Sequence, residues 1–149
     1  INFNDESGKL TLNVGNFLLE NNELKLKLNI RIPIHTKIEV IENSLIDILS
    51  KFKGLEYTRI ASKNSLYLPK DSFLVKTLSN IFNEMNNSFI EPIAIGGATY
   101  ARAFDNCISF GANMPGTKDM CHQTDEFISI DNLMFATKVY ARAIYELSK

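Results

Sequence analysis

Residues 24–32 are the part of this sequence that most restricts how the chain can fold. Leucine or isoleucine occupies every second position, and lysine, asparagine and arginine occupy the positions between them. This alternation predicts a β-strand with one buried face and one polar face. Pro33 ends the pattern, because proline cannot donate to a neighbouring strand. The preceding run LTLNVGNFLL and the turn-forming pair Asn21-Asn22 predict an antiparallel hairpin over about residues 9–33.

A helix is predicted after the hairpin. Thr36 and Glu39 have the spacing of a capping box, and apolar residues then recur at helical spacing. Gly54 is expected to close this helix as a left-handed cap. Residues 55–61 are expected to form a third strand. Hairpin, helix and strand in this order correspond to half of a ferredoxin-like split motif.

Such a half motif leaves an apolar sheet face and an open sheet edge. The chain begins with Ile1 and not with methionine, and we interpret it as a fragment whose missing strand and helix lie upstream. A dimer formed through the open edge is the alternative way to complete the sheet.

The pattern changes around residues 68–70, where we place a domain boundary. Asp71 or Ser72 is expected to cap a helix that runs to about Met85. The short apolar run at residues 90–95 is expected to be a buried parallel strand. Residues 107–111 are expected to form a second short strand. Asp131 is expected to cap the last helix.

Composition excludes several classes of protein. The 149 residues carry a net charge of −1 without a basic cluster, which argues against nucleic-acid binding. No apolar run approaches the roughly 20 residues of a membrane span, and no signal-peptide pattern is present. The two cysteines are too few for a disulfide scaffold, so a cytoplasmic location is expected.

Residues 95–131 combine a double glycine, hydroxyl residues, a Pro-Gly turn and a histidine close to carboxylates. Gly96 and Gly97 allow close approach to a backbone, although a tight turn explains them equally well. His122 lies on a loop between predicted regular elements, where binding groups are often found. Asp125 and Glu126 are near enough in sequence to orient its ring.

This stretch resembles a known family. GGATYARAFDN, CISFG, MPG and CHQTDEFI occur in that order, as in the C-terminal signature of bacterial PepV-type dipeptidases. These are two-metal peptidases related to carnosinase, aminoacylase and succinyl-diaminopimelate desuccinylase. The similarity extends upstream through LNIRIP and SLYLPKDS. Ala98 stands where the family usually has a third glycine, which affects the expected substrate size more than the reaction type.

The resemblance implies an α/β (α+β) fold in two parts. Residues 1–69 would be the second half of a ferredoxin-like lid domain, and residues 70–149 the C-terminal part of an α/β zinc-peptidase catalytic domain. It also implies that His122 is a metal ligand, with zinc expected and manganese or cobalt as alternatives. The chain has only two histidines, whereas a catalytic zinc takes about three protein ligands. The resemblance implies that the remaining ligands and the general base come from the N-terminal part of the catalytic domain, which is absent here, so the chain alone is expected to be inactive.

Arg31 is the second candidate that the resemblance identifies. In the family, the arginine at this strand end binds the C-terminal carboxylate of the substrate. From the pattern alone, Arg31 is better explained as a solvated charge on a sheet face, as are Lys25 and Lys27. The backbone amides of Gly96 and Gly97 and the hydroxyl of Thr99 are further candidates for holding the substrate.

The sequence therefore favours a fragment of a cytoplasmic metallodipeptidase acting on short peptides with a free C-terminal carboxylate. Two alternatives remain open. One is a related metal-dependent deacylase or desuccinylase. The other is a non-catalytic, ligand-binding ferredoxin-like module. His35 is expected to face solvent, and Cys107 to be a small buried apolar residue.

Overall fold

The computed structural model describes residues 3–111 and 113–149. It contains four strands, three α-helices and one short 3-10 helix, so the mixed α and β fold class is confirmed. In chain order these are β1 (Asn4–Asp5), β2 (Gly8–Lys9), β3 (Thr11–Glu20), β4 (Glu23–Arg31), α1 (Ile38–Leu49), α2 (Phe73–Asn86), the 3-10 helix (Tyr100–Ala103) and α3 (Ile130–Leu147).

Contacts divide the chain into two compact units. One comprises Ile1–Leu66 and Ile93–Ala98, and the other comprises Tyr67–Pro92 and Thr99–Lys149. The double glycine therefore belongs to the same unit as the hairpin, although it follows α2 in sequence. Throughout the described residues, no helix combines the length and the apolar character that crossing a bilayer requires.

Strands β3 and β4 pair antiparallel, which confirms the predicted hairpin. The register places apolar residues opposite one another on one face and mostly polar residues on the other, because side chains alternate along each strand. The apolar pairs are Leu12–Ile30, Val14–Leu28, Phe17–Leu26 and Leu19–Leu24. Most of these side chains are exposed within the described chain.

A β-bulge at Gly15 keeps the hairpin amphipathic. The register shifts between Val14 and Asn16, so the extra residue returns Phe17 to the face that Val14 occupies. A Cβ on Gly15 would lie 2.6 Å from the side-chain nitrogen of Asn29. Glycine fits here because the partner strand approaches closely.

Helix α1 is present, but its expected ends are wrong. Lys37 is the N-cap and makes no side-chain cap bond, so Thr36 and Glu39 do not form a capping box. Ser50 ends the helix in a right-handed conformation, and Gly54 adopts its positive φ of 81° only in the turn that follows.

Residues 55–61 form no strand. They are exposed, and within the described residues the β3–β4 sheet has only those two strands. An apolar run becomes a strand only where a neighbour accepts its backbone hydrogen bonds, so local pattern was not sufficient. The runs at 90–95 and 107–111 also form no strand, for the same reason.

The second unit is built on α2 and α3. Its buried core consists of Leu78, Ile81, Val139 and Ala143. The rings of Phe82 and Phe135 add an edge-to-face contact at 6.2 Å between centroids.

The ends of these two helices agree in part with expectation. Ser72 is the N-cap of α2, and Asn87 ends it with a left-handed φ of 49°. Helix α3 begins two residues earlier than expected, because the hydroxyl of Ser129 accepts the Asn132 amide at 3.2 Å and so replaces Asp131 as the cap.

Candidate functional site

Arg31 lies at the end of β4, directly against the segment Ile93–Ala98. A Cβ added to Gly96 would collide with Nη1 of Arg31, and it would lie 3.3 Å from Cδ and 3.4 Å from Cζ. The arginine side chain can occupy this position only because residue 96 has no side chain. The structure thus brings together two sequence-predicted site residues that are 65 positions apart.

Arg31 is exposed, and none of the described carboxylates lies within ion-pair distance of its guanidinium. It borders a recess of about 530 Å³ that is also lined by Thr11, Asn13, Asn29 and Ile30. A guanidinium that has no carboxylate partner among the described residues, beside an open recess, is well suited to pair with an incoming carboxylate.

Gly97 and Thr99 are placed differently from Gly96. Gly97 has open space around it, since a Cβ added there would meet only Ile95 Cδ1, at 4.0 Å. Thr99 belongs to the second unit, where its hydroxyl lies 2.6 Å from that of Ser109. The Thr99 hydroxyl therefore already has an intramolecular partner, and its role in binding substrate stays a prediction, as does that of Gly97.

His122 lies in a tight loop of the second unit. It has a left-handed φ of 61°, and Asp125 follows with 57°. Such values are uncommon outside glycine, although histidine and aspartate are enriched among the exceptions. The backbone amide of His122 donates to Oε2 of Glu126 at 3.2 Å. Glu126 thus holds the backbone of His122, whereas the sequence suggested that it would orient the ring.

A second carboxylate supports the same loop. Oδ1 of Asp119 accepts the Cys121 amide at 3.0 Å and lies 3.4 Å from the side-chain nitrogen of Asn113. The hydrogen bonds from Cys121, above all that of its backbone amide, lower the pKa of Asp119. These contacts fix the turn that presents the His122 imidazole to solvent.

His122 can offer a metal ion one coordinating atom, a nitrogen of its ring. Its ring is exposed and makes no hydrogen bond to a described residue, so a ring nitrogen is available to coordinate. In the part of the chain that the structure describes, His122 does not belong to any cluster of three metal-binding side chains. The role of His122 as a metal ligand therefore stays a prediction.

Asp5, Glu6 and His35 form a cluster that sequence reasoning missed. Their ligand atoms all lie within 4.8 Å of one another. The His35 ring nitrogen Nε2 is 2.7 Å from Oε1 of Glu6, and the His35 amide donates to Oδ2 of Asp5 at 2.9 Å. His35 is exposed as expected, but nothing in the sequence indicated a partner about 30 positions away.

The charges of this cluster stabilise one another. The hydrogen bond to Glu6 raises the pKa of His35, and the same bond lowers the pKa of Glu6. The direct contacts explain the cluster without a bound ion. It connects the N-terminal strands to the segment between β4 and α1.

Both cysteines are free thiols. Cys107 is half-buried, which is less than expected, and Cys121 is exposed.

Comparison with known proteins gives one consistent family. The model of peptidase family M20/M25/M40 matches residues 3–146. A Bacillus subtilis protein named "Putative dipeptidase YtjP" is 38% identical over 144 residues, which are 96% of this chain and 30% of that protein. A Staphylococcus epidermidis protein named "Putative dipeptidase" is 32% identical over 145 residues, with the same coverage of 96% and 30%. The chain thus spans about 30% of the length of these curated relatives.

Proposed function

Because this chain belongs to peptidase family M20/M25/M40, we propose that it works as the C-terminal portion of a longer metal-dependent dipeptidase. The names of its relatives support a dipeptidase, and their greater length supports a longer polypeptide. We also retain the cytoplasm as its proposed location, since both cysteines are free thiols.

The observation that carries this proposal is the position of Arg31. Its guanidinium lies over Gly96, lacks an acidic partner among the described residues and borders an open recess. In the proposed reaction Arg31 binds the C-terminal carboxylate of the substrate through two parallel hydrogen bonds. Binding the C-terminal carboxylate of the substrate at a fixed point selects short peptides, because it sets the distance from the substrate's C-terminus to the peptide bond that is cut.

Gly96 keeps the Arg31 side chain in place by leaving room for it. Its neighbour Gly97, whose surroundings are open, offers a backbone amide to the substrate. Thr99 is proposed to bind the substrate through its hydroxyl, which also forms a hydrogen bond with the Ser109 hydroxyl at 2.6 Å. These groups bind and orient; none of them is proposed to act as the general base.

His122 is proposed to hold one of the divalent ions, with zinc preferred and manganese or cobalt as alternatives. When bound, such ions supply Lewis-acid polarisation of the scissile carbonyl and a water of lowered pKa. The part of His122 is to present a neutral imidazole nitrogen, and Glu126 assists by holding its backbone amide.

The test uses the full-length polypeptide that carries this chain. Arg31→Ala is expected to lower kcat/KM for a free dipeptide by about tenfold to a hundredfold, mainly through KM, which corresponds to about 1.4–2.8 kcal/mol. The same variant should not affect hydrolysis of the C-terminally amidated dipeptide, which lacks the carboxylate. Arg31→Lys is the matched control and should recover part of the loss, because it restores charge without the planar fork.

His122→Ala tests the metal role separately. It is expected to reduce zinc bound per polypeptide and to lower kcat by at least about a hundredfold. Full hydrolysis of dipeptides by this variant would contradict the proposal.

A deacylase or desuccinylase is the nearest rival, because N-acyl amino acids also have a free carboxylate that Arg31 could bind. Faster hydrolysis of N-acetyl and N-succinyl amino acids than of free dipeptides by the wild-type polypeptide would favour it. The non-catalytic module predicts no hydrolysis of either substrate and a dimer through the unpaired edge of the β3–β4 sheet, which sedimentation would detect.

A further inference from the structure

The polar face of the β3–β4 hairpin extends away from Arg31 in a regular order. Arg31 is opposite Thr11, Asn29 is opposite Asn13, and Lys27 is opposite Asn16. Residues two apart on a strand share a face and are separated by about 7 Å. The face therefore presents a guanidinium, then a pair of side-chain amides, then an ammonium group.

The two cations at the ends of this row have no carboxylate partner among the described residues. Among the residues that the structure describes, neither Arg31 nor Lys27 lies within ion-pair distance of a carboxylate, whereas Lys25 on the same face lies 3.9 Å from Glu23. The side chains of Asn13 and Asn29 also make no hydrogen bond to another described residue. Their amide groups remain able to donate.

The recess of about 530 Å³ lies at this place and is lined by Thr11, Asn13, Asn29, Ile30 and Arg31. Among the described residues, its lining provides hydroxyl, amide and guanidinium groups and one apolar side chain, and no carboxylate. Lys27 is the next residue along the same face, and its flexible four-carbon stem allows the ammonium group to reach toward the amide pair.

We propose that this recess is the subsite for the side chain of the substrate's C-terminal residue and that it selects an acidic side chain. The inference rests on the proposed function, because it takes the α-carboxylate to be bound by Arg31. The side-chain carboxylate of a C-terminal glutamate then lies over Asn13 and Asn29, which donate to it, and Lys27 supplies the second positive charge. A row of cation, amides and cation is complementary to a residue with two carboxylates.

The test compares Ala-Glu, Ala-Gln and Ala-Ala as substrates of the full-length polypeptide at low ionic strength. Wild type is expected to hydrolyse Ala-Glu with a kcat/KM about fivefold above that for Ala-Gln, the range of an exposed ion pair. Lys27→Gln should remove this preference through KM and leave Ala-Ala unchanged. The preference should also decline as salt is raised, because exposed charges are screened.

Lys25→Gln is the matched control. It removes a lysine from the same strand and face, but that lysine is paired with Glu23, so the Ala-Glu preference should persist. Lys27→Arg should also retain it, which separates the charge from the shape of the side chain.

Equal rates for Ala-Glu and Ala-Gln in wild type, or a preference that survives Lys27→Gln, would overturn the subsite. The proposed function would then still stand if hydrolysis of Ala-Ala depended on Arg31. Absence of hydrolysis of all three dipeptides would overturn both.

Discussion

The hairpin β3–β4 and the helix pair α2–α3 are both amphipathic, yet they differ in what covers their apolar faces. Leu78 in α2 is 6% exposed and Val139 in α3 is 2% exposed, whereas Leu26 and Phe17 of the hairpin are 52% and 64% exposed. The two helices bury their apolar stripes against each other. Within the described residues, the hairpin has no element packed on its face to the same extent.

This difference shows which of the two apolar faces is covered within the described residues. A two-stranded hairpin alone is marginally stable in water, and stability requires further strands or a packed helix. The helix pair already has a core that includes aromatic contacts. The apolar face of the hairpin, by contrast, is largely exposed within the described residues.

The largest effect is expected from emptying the helical core. Leu78→Ala should lower the free energy of unfolding by about 2–4 kcal/mol, because it leaves a cavity between α2 and α3. Leu26→Ala makes the same chemical change on the exposed hairpin and should cost less than about 1 kcal/mol. Urea denaturation followed by circular dichroism measures both. Equal costs in this chain would show that the hairpin face is covered in solution, as a dimer would do.

A somewhat smaller effect is expected at Gly111 in the second unit. Gly111 has a φ of 72°, and an added Cβ would lie 2.7 Å from the Tyr140 hydroxyl. Gly111→Ala should destabilise the chain by about 1–3 kcal/mol, because it adds backbone strain and displaces Tyr140. Gly116→Ala is the control, since its φ is similar at 77° but its surroundings are open. A thermal melt should rank Gly111→Ala as the more harmful, and the reverse order would refute the role of Tyr140.

A substitution at the bulge of the hairpin should lower the free energy of unfolding by about 1 kcal/mol. Gly15→Ala places a Cβ against the Asn29 side chain, which must move or force the strands apart. Combining it with Asn29→Ala removes the colliding group and should recover most of the loss. A double-mutant cycle in denaturant measures this coupling, and strictly additive costs would show that the collision is not the cause.

The smallest effect is expected from the cluster that joins the N-terminal strands to the hairpin's exit. The pKa of His35 is raised by Glu6, so its contribution to stability is present below about pH 6.5 and is lost as pH rises through the folded-state pKa. The pKa of Glu6 is lowered, so its contribution is present above about pH 4.5 and is lost as pH falls through its folded-state pKa.

The pair should therefore stabilise the first unit most between about pH 4.5 and 6.5. NMR titration of the His35 ring should give a pKa above the ordinary histidine value, and Glu6→Gln should return it toward that value. High salt should reduce the shift, because both side chains are more than half exposed. An unshifted His35 in the wild-type chain would show that the contact does not persist in solution.

Local sequence predicted the elements that depend on few residues. The hairpin and the helices followed from periodicity, and Ser72 was one of the two residues expected to cap α2. The runs at 55–61, 90–95 and 107–111 were predicted as strands and are not, because a strand also needs a partner whose presence no local pattern specifies. Two helix caps differ from expectation. Lys37 takes the N-cap position of α1 although Thr36 is the better capping residue, and Ser129 takes that of α3 in place of Asp131.

The features of the candidate site also divide into those that the sequence indicated and those that only the tertiary structure shows. The sequence by itself identified Arg31, Gly96 and His122 as residues of interest, because their chemistry and motif are local properties. Only the tertiary structure placed the Arg31 side chain over Gly96, joined Asp5 and Glu6 to His35, and left Arg31 and Lys27 without carboxylate partners among the described residues. Periodicity and motif are encoded within a few neighbouring residues, whereas close approach between distant segments depends on how the whole chain packs.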